Sequence, residues 1–177
     1  VLYTDETKNN VLSSFHHLRQ QIDLDDTEEN TRYLSLADFI APKETGLTDY
    51  IGTFAVTTGI GTDEWVKKFE EDNDDYNAIM MKVMADRLAE AFTELIHEKV
   101  RKEIWGYAAD ENFELEDLLK SKNQGIRPAF GYPACPDHSE KKTLFELLEA
   151  DKKLGLVLTE NFAVWPAASV CGLIFAS

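Results

Sequence analysis

Residues 125–138 constrain the fold of this chain more than any other stretch, because they cannot form a helix. They read Gly-Ile-Arg-Pro-Ala-Phe-Gly-Tyr-Pro-Ala-Cys-Pro-Asp-His. The three prolines of this stretch lack a backbone N–H, and each pushes the residue before it toward extended geometry. The two glycines permit backbone angles that are closed to other residues. The sequence therefore predicts a stiff, ordered loop.

Such a loop leaves backbone N–H and C=O groups free, and it holds the guanidinium of Arg127 and the phenol of Tyr132 beside them. An arginine fork suits a carboxylate or phosphate, and an aromatic ring suits a planar base or a cation. These residue types fit a small-molecule cradle. They also fit a surface connection in which Phe130 and Tyr132 plug the core, and most loops of this length are connections.

The remaining patterns predict an α+β domain with a mainly antiparallel sheet, packed helices and one long central helix. Strands are predicted over 33–40 and 50–57, joined as an antiparallel pair, and again over 156–164 and 169–175. An exposed acidic loop is predicted over 23–30.

The longest helix is predicted to start after the acidic cluster at 72–75 and to run to about Tyr107. Apolar residues recur along it at helical spacing, which predicts an amphipathic helix with these residues on its apolar face. They are Met80, Val83, Met84, Ala91, Leu95, Val100 and Ile104. Shorter helices are predicted over about 62–71, 115–120 and 139–154.

From Arg127 onward, the loop and the Ser-Glu-Lys that follows it closely resemble the S-adenosylmethionine-binding loop of the reactivation domain of cobalamin-dependent methionine synthase. Other segments look like the same family, in the family's order, and together they span nearly the whole chain. They are residues 5–7, 16–21, 36–42, 74–76, 85–92 and 158–160. The resemblance is therefore specific.

The resemblance implies a binding site for S-adenosylmethionine. At the matching positions, Arg127 pairs with the ligand's carboxylate, and Ala129 and Gly131 present backbone groups to its adenosine. Tyr132 packs against the ligand or orients it, and Glu90 offsets its positive charge, directly or through water. By the same resemblance, Asp86 faces the domain that carries the corrinoid.

The resemblance also implies a role inside a larger enzyme. In this family cobalamin occasionally oxidises to an inactive cobalt(II) state, and the reactivation domain supplies a methyl group from S-adenosylmethionine. A flavodoxin-type or flavoprotein reductase supplies the electron. The expected partners are thus that reductase and the cobalamin-binding domain of the same enzyme, and zinc is expected only in another domain of the full enzyme. No catalytic side chain is expected, because the reduced cobalt is itself the nucleophile.

Two departures from the family pattern bear on the site. Phe130 stands where the family usually has proline. The family also uses an aspartate on an element before residue 1 and a Lys-Tyr-Tyr segment beyond residue 177, and neither is present. Residues 1–177 are therefore expected to form part of the domain and part of its pocket.

Asp86, Glu90, Glu94 and His97 share one face of the long helix by their spacing. Such a face is most often a solvated polar stripe, and the resemblance raises only Asp86 and Glu90 above that interpretation. Glu94 and His97 have the Glu-x-x-His spacing of di-iron bundles, but no second copy of that spacing exists. The alternative function, from another class, is an acidic docking scaffold without a ligand site of its own.

No metal site is predicted. Cys135 and His138 could supply two ligands to zinc, whereas a structural site needs four. Cys171 with His16 or His17 could complete the set only by a chance arrangement. Cys135 is not expected to be a nucleophile either. Asp137 and His138 are its neighbours in sequence, but adjacency in sequence does not give the geometry of a catalytic triad.

Charge and composition argue against binding to nucleic acid, association with membranes and a disulfide-rich secreted fold. The chain has 18 Lys and Arg against 33 Asp and Glu, a net charge of −15, which repels nucleic acid and anionic membranes. Its apolar runs are far shorter than the ~20 residues of a membrane span, and its first residues lack a signal core. Two cysteines do not make a disulfide framework. These observations predict a cytoplasmic protein.

Overall fold

The main sheet ladder joins two strands that lie far apart in the sequence. In the computed structural model of the protein, which describes residues 1–21, 33–113, 117 and 122–176, strand β3 (Gly52–Thr57) pairs antiparallel with β6 (Ser169–Ile174). The register is unbroken from Gly52 opposite Ile174 to Thr57 opposite Ser169. The predicted pairing of 50–57 with 33–40 was wrong. Four consecutive residues of β6, from Cys171 on, are buried. A strand that is buried on both faces belongs at the centre of a sheet, so β6 takes the place beside β3 that was predicted for residues 33–40.

Residues 33–40 do not form the predicted strand, because a 3-10 helix (Leu36–Phe39) takes their place. The Ser35 hydroxyl accepts a hydrogen bond from the Ala37 N–H, and the Asp38 carboxylate accepts one from the Ser35 N–H. Asp38 also binds Arg19 through two contacts of 2.7 Å. This capping box stabilises the helical turn over the extended alternative.

The predicted long helix is present. α2 (Asp75–Lys99) continues as a π-helical turn (Val100–Ile104), and α1 (Thr62–Glu71) packs beside it. The other described elements are β1 (Leu2–Tyr3), β2 (Val11–Ser13), 3-10 helices Lys43–Thr45 and His138–Glu140, α3 (Lys141–Leu148), α4 (Ala150–Leu154), β4 (Val157–Leu158) and β5 (Val164–Trp165). The α+β prediction is confirmed.

Several predicted boundaries were wrong. The helix predicted over 139–154 breaks at Glu149, whose φ of 51° is left-handed, and the strand predicted over 156–164 is a hairpin of β4 and β5. The predicted loop over 23–30 lies outside the described residues, as does the predicted helix over 115–120 apart from residue 117.

The two faces of the β3–β6 ladder pack unequally. On one face Cys171 and Leu173 join a core that has ten buried members among the described residues, including Phe130. On the other face the buried described residues are Phe54, Val56 and Ile174, with partly buried side chains of α2 and the π-helical turn beside them. The smaller cluster is the side on which the candidate site lies.

Most residues of the predicted apolar stripe are exposed, although Val100 packs against the smaller cluster. Met80, Val83, Met84, Leu95 and Ile104 are 36 to 72% exposed, whereas the buried residues of α2 are Ala78, Ala85, Ala89, Thr93 and His97. Small side chains allow the helix to lie close to its neighbours. The buried face of α2 therefore carries mostly small residues, and the larger apolar residues lie on its exposed faces. None of the helices in the described part of the chain has the length and apolarity that crossing a membrane requires.

Candidate functional site

The start of the proline-rich loop extends the main ladder. The Ile126 N–H donates to the Phe175 carbonyl at 2.9 Å, and the Phe175 N–H donates back at 3.0 Å. The Leu173 N–H donates to the Pro128 carbonyl at 3.0 Å. Pro128 has no N–H to donate, so it suits this edge position. Ile126 packs against the larger core, and Arg127 therefore points to the opposite face, toward α2.

Arg127 meets α2 at Glu94. Its Nη2 donates to the Glu94 Oε1 in an ion pair in which the arginine side chain is 19% exposed and the glutamate side chain 59%. The guanidinium carbon lies 5.9 Å from the centre of the Phe54 ring. The Arg127 Nε is buried and has no hydrogen-bond partner. The guanidinium is thus held in place with its buried Nε donor unused.

Gly172 makes this arrangement possible, since a side chain there would collide with both neighbours. A Cβ on Gly172 would lie 2.5 Å from the Pro128 carbonyl oxygen and 3.1 Å from the Phe54 ring. Gly172 stands directly opposite Phe54 in the ladder. Its missing side chain therefore lets the loop approach β6 on one side and the Phe54 ring lie close on the other.

The middle of the loop is a tight, non-helical turn, as predicted. The Gly131 N–H donates to the Cys135 carbonyl, and the Cys135 N–H donates to the Tyr132 carbonyl, both at 2.8 Å. Gly131 has a φ of 99°, and a Cβ there would overlap the His138 ring. Phe130 is buried, while Tyr132 is 66% exposed. Of the two rings that the sequence left as candidate core plugs, Phe130 fills that role and Tyr132 does not.

Asp86 and Glu90 lie on the exposed surface of α2, where they line an open cavity of about 230 Å³ together with Arg87, Ala89 and residues 167–170. Glu94 follows one turn later and reaches Arg127. One helix face thus carries three carboxylates from the cavity to the loop. This acidic face, defined by Asp86, Glu90 and Glu94, attracts cations.

His97, the fourth residue of the predicted polar stripe, is buried at 4% exposure. Burial, followed by the positive charges of Arg101 and Arg127, lowers the pKa of His97 to about 4. The imidazole is therefore neutral at pH 7. Its Nε2 has no hydrogen-bond partner.

The cysteines are poorly suited to metal binding or nucleophilic chemistry. Burial raises the pKa of Cys135 to about 11, with Glu140 and Asp137 adding to the shift, and burial also raises the pKa of Cys171 to about 11. Both thiols are protonated at neutral pH, and the thiolate is the reactive form. Across residues 1–21, 33–113, 117 and 122–176, no three His, Cys, Asp or Glu side chains are grouped so that they could hold a metal ion.

The structure brings some of the predicted site residues together. Arg127 reaches α2 on the face that carries Glu90 and Asp86, and Ala129 follows Arg127 by two residues along the edge segment. Gly131 and Tyr132 lie further along, in the exposed turn. Sequence reasoning left Glu94 as an ordinary polar residue, although its spacing of four residues from Glu90 placed both on one helix face. It missed Phe54 and Gly172, which no local pattern indicates.

Comparisons with known proteins identify the family of this chain. The family described as "Vitamin B12 dependent methionine synthase, activation domain" matches residues 1–177. A solved structure described as "Crystal Structure of the MetH Reactivation Domain bound to AdoHcy" is 54% identical, with a TM-score of 0.92. The match covers 99% of this chain and 53% of that one, so the chain spans about half the length of this relative. Because the family match covers every residue, the chain belongs to the vitamin B12-dependent methionine synthase activation domains.

Proposed function

We propose that this chain binds S-adenosylmethionine and serves in the reactivation of a cobalamin-dependent methionine synthase. The observation that carries the proposal is the Arg127 guanidinium, which is fixed at the sheet edge with its buried Nε unpartnered. A buried donor without a partner is costly, and a ligand carboxylate that bound Nε and Nη2 together would satisfy it. AdoHcy, which the 54% identical relative binds, carries such a carboxylate.

We assign the remaining ligand contacts to the loop that follows Arg127 and to α2. Ala129 and Gly131 offer backbone groups to the adenosine, and the exposed Tyr132 ring packs against the ligand or orients it. Glu90 offsets the ligand's positive charge from the acidic face, directly or through water. The net charge of −15 favours a sulfonium cation over anions of similar size.

The role in the whole enzyme is proposed from the family of the chain. When bound, S-adenosylmethionine would supply the methyl group for the reduced cobalt of a corrinoid that a partner domain carries, and would leave as S-adenosylhomocysteine. Asp86, at the exposed end of the acidic face, contributes to the surface that meets this cobalamin-binding domain. A flavodoxin-type or flavoprotein reductase supplies the electron, in the cytoplasm. The side chains of this chain bind and orient, and none acts as an acid or base.

One observation favours a second candidate function. Met80, Val83, Met84 and Leu95 of α2 are exposed, which suits the alternative of an acidic scaffold that docks a partner and has no ligand site. The two functions differ in one measurable respect, because a ligand that binds only the folded state raises its melting temperature. A scaffold without a ligand site would melt at the same temperature with and without S-adenosylmethionine.

Calorimetric titration of S-adenosylmethionine into this chain and into Arg127→Ala tests the proposal. Loss of the carboxylate partner is expected to weaken binding by ten- to hundredfold, about 1.5 to 3 kcal/mol. Arg19→Ala is the matched control, because it removes an exposed arginine–carboxylate pair at another place in the fold. Saturable binding that Arg127→Ala leaves unchanged would move the site elsewhere, and no binding by the unmodified chain would overturn the proposal.

A further inference from the structure

The Arg127–Glu94 pair uses only part of the arginine's binding capacity. Glu94 accepts from Nη2, while Nε, the other donor on the side-on edge of a guanidinium, stays buried without a partner. A carboxylate that occupied this edge fully would make two parallel hydrogen bonds. Glu94 is 59% exposed, so its carboxylate can withdraw into water with little loss of solvation.

We propose that Glu94 is a competitor built into the site, which occupies Arg127 in the free protein and must give way to the carboxylate of the incoming ligand. This inference rests on the proposed function. A ligand carboxylate that takes both Nε and Nη2 displaces a single contact, and it satisfies a buried donor that Glu94 leaves unpaired. The exchange therefore proceeds toward the bound state.

Competition of this kind has a consequence for specificity. Only the fraction of molecules in which Arg127 is released can bind the carboxylate, so the apparent affinity of a carboxylate ligand is reduced by that fraction. A ligand without a carboxylate neither displaces Glu94 nor benefits from Arg127. Glu94 thus makes the site respond to the amino-acid tail of the ligand, separately from its adenosine.

The test uses Glu94→Gln with two probes, S-adenosylhomocysteine and 5′-methylthioadenosine, which lacks the amino-acid tail. Removal of the competing charge is expected to tighten S-adenosylhomocysteine binding about two- to fivefold, the range of an exposed ion pair, and to leave 5′-methylthioadenosine unchanged. Glu98→Gln is the matched control, because Glu98 lies one turn further along α2 and pairs with Lys102 instead of Arg127. In an Arg127→Ala background, Glu94→Gln is expected to have no effect on either probe.

The outcomes separate this inference from the proposed function. Weaker S-adenosylhomocysteine binding in Glu94→Gln would show that Glu94 positions Arg127 or binds the ligand's ammonium group, and would overturn the inference alone. Equal tightening of both probes, or tightening by Glu98→Gln, would show a general charge effect and would also overturn it. No binding by either protein would remove the proposed function itself, and the inference with it.

Discussion

Two arginine–glutamate pairs flank the C-terminal end of α2, and they differ in what surrounds them. The Arg101 Nε donates to the Glu111 Oε2 at 2.6 Å, and their side chains are 2% and 5% exposed. In the Arg127–Glu94 pair the corresponding exposures are 19% and 59%, and the arginine Nε has no partner. The first pair is enclosed by the fold on both sides. The second is enclosed on one side only, and that difference leaves it able to exchange its partner.

Both ion pairs consist of an arginine and a glutamate, so the residue types of a pair do not by themselves decide its role. A carboxylate buried with its arginine cannot leave without exposing an uncompensated charge to the protein interior. An exposed carboxylate can leave, because water takes its place. Among the described residues, an arginine held by an exposed partner is therefore a better candidate ligand site than one held by a buried partner.

The largest effect is expected from Arg101→Met. The substitution leaves the Glu111 carboxylate buried and unpaired, which is expected to lower the free energy of unfolding by about 3 to 5 kcal/mol in a urea titration. The matched change Arg127→Met leaves Glu94 in contact with water, so it is expected to cost less than about 1 kcal/mol. Similar losses in the two variants would mean that both pairs are structural, and the distinction between them would fail.

A second variant in the same series sharpens that result. Replacing both members of the buried pair, as Arg101→Met with Glu111→Leu, removes the uncompensated charge. It is expected to recover most of the lost stability, because hydrophobic replacement of a buried ion pair is often neutral or stabilising. A double variant as unstable as Arg101→Met alone would show that the loss came from packing around Arg101 and not from the charge on Glu111.

The next effect tests what holds Arg127 in place. Gly172→Ala puts a Cβ 2.5 Å from the Pro128 carbonyl, so the edge segment must shift away from β6, at a cost of about 1 to 3 kcal/mol of unfolding free energy. Because Arg127 moves with that segment, S-adenosylmethionine affinity is expected to fall as well. Gly52→Ala is the control on the same ladder, where the nearest neighbour is a side-chain atom at 3.0 Å. Unchanged affinity in Gly172→Ala would mean that the placement of Arg127 does not depend on this close approach.

The sequence predicted much of the fold and less of the site, for identifiable reasons. The long helix and the non-helical loop follow from local rules, since helical spacing and three prolines act on neighbouring residues. The partner of β3 was mispredicted because Thr57 and Ser169 are 112 residues apart, and no local pattern selects between distant strands. The exposed apolar stripe of α2 was mispredicted because hydrophobicity does not report how closely a helix approaches the sheet.

The same limit applies to the site residues. Arg127 was identified because the loop resembles a family, and the family assignment is confirmed by the match over residues 1–177. The roles of Arg127, Ala129, Gly131, Tyr132 and Glu90 remain predictions. Glu94 was left as an ordinary polar residue, since its contact with Arg127 exists only once the edge segment is placed beside β6. Residues that act through tertiary pairing are the ones that a single sequence does not show.

The last effect concerns the pKa of His97, on which the charges of both arginines act. Its pKa is lowered to about 4 in the folded protein, against a usual value of 6.5. Between these values the unfolded chain binds the proton and the folded protein does not, so stability falls as the pH is lowered through this window. One proton contributes at most about 1.4 kcal/mol per pH unit.

The His97 contribution can be isolated by comparing the unmodified chain with His97→Gln in urea titrations from pH 7 to pH 4. Burial also lowers the pKa of His17, so both proteins lose stability in this window, and His97→Gln is expected to lose less. The Asp38 carboxyl, whose pKa is lowered to about 2 mainly by Arg19, changes its protonation at pH values below this window.

A two-dimensional NMR titration of the His97 imidazole compares the effects of the two arginines. Arg101→Met is expected to raise the His97 pKa more than Arg127→Met, because the charge of Arg101 acts on His97 more strongly. A larger rise in Arg127→Met would mean that the solvent-accessible pair acts more strongly on His97 than the enclosed pair, and would reverse the comparison.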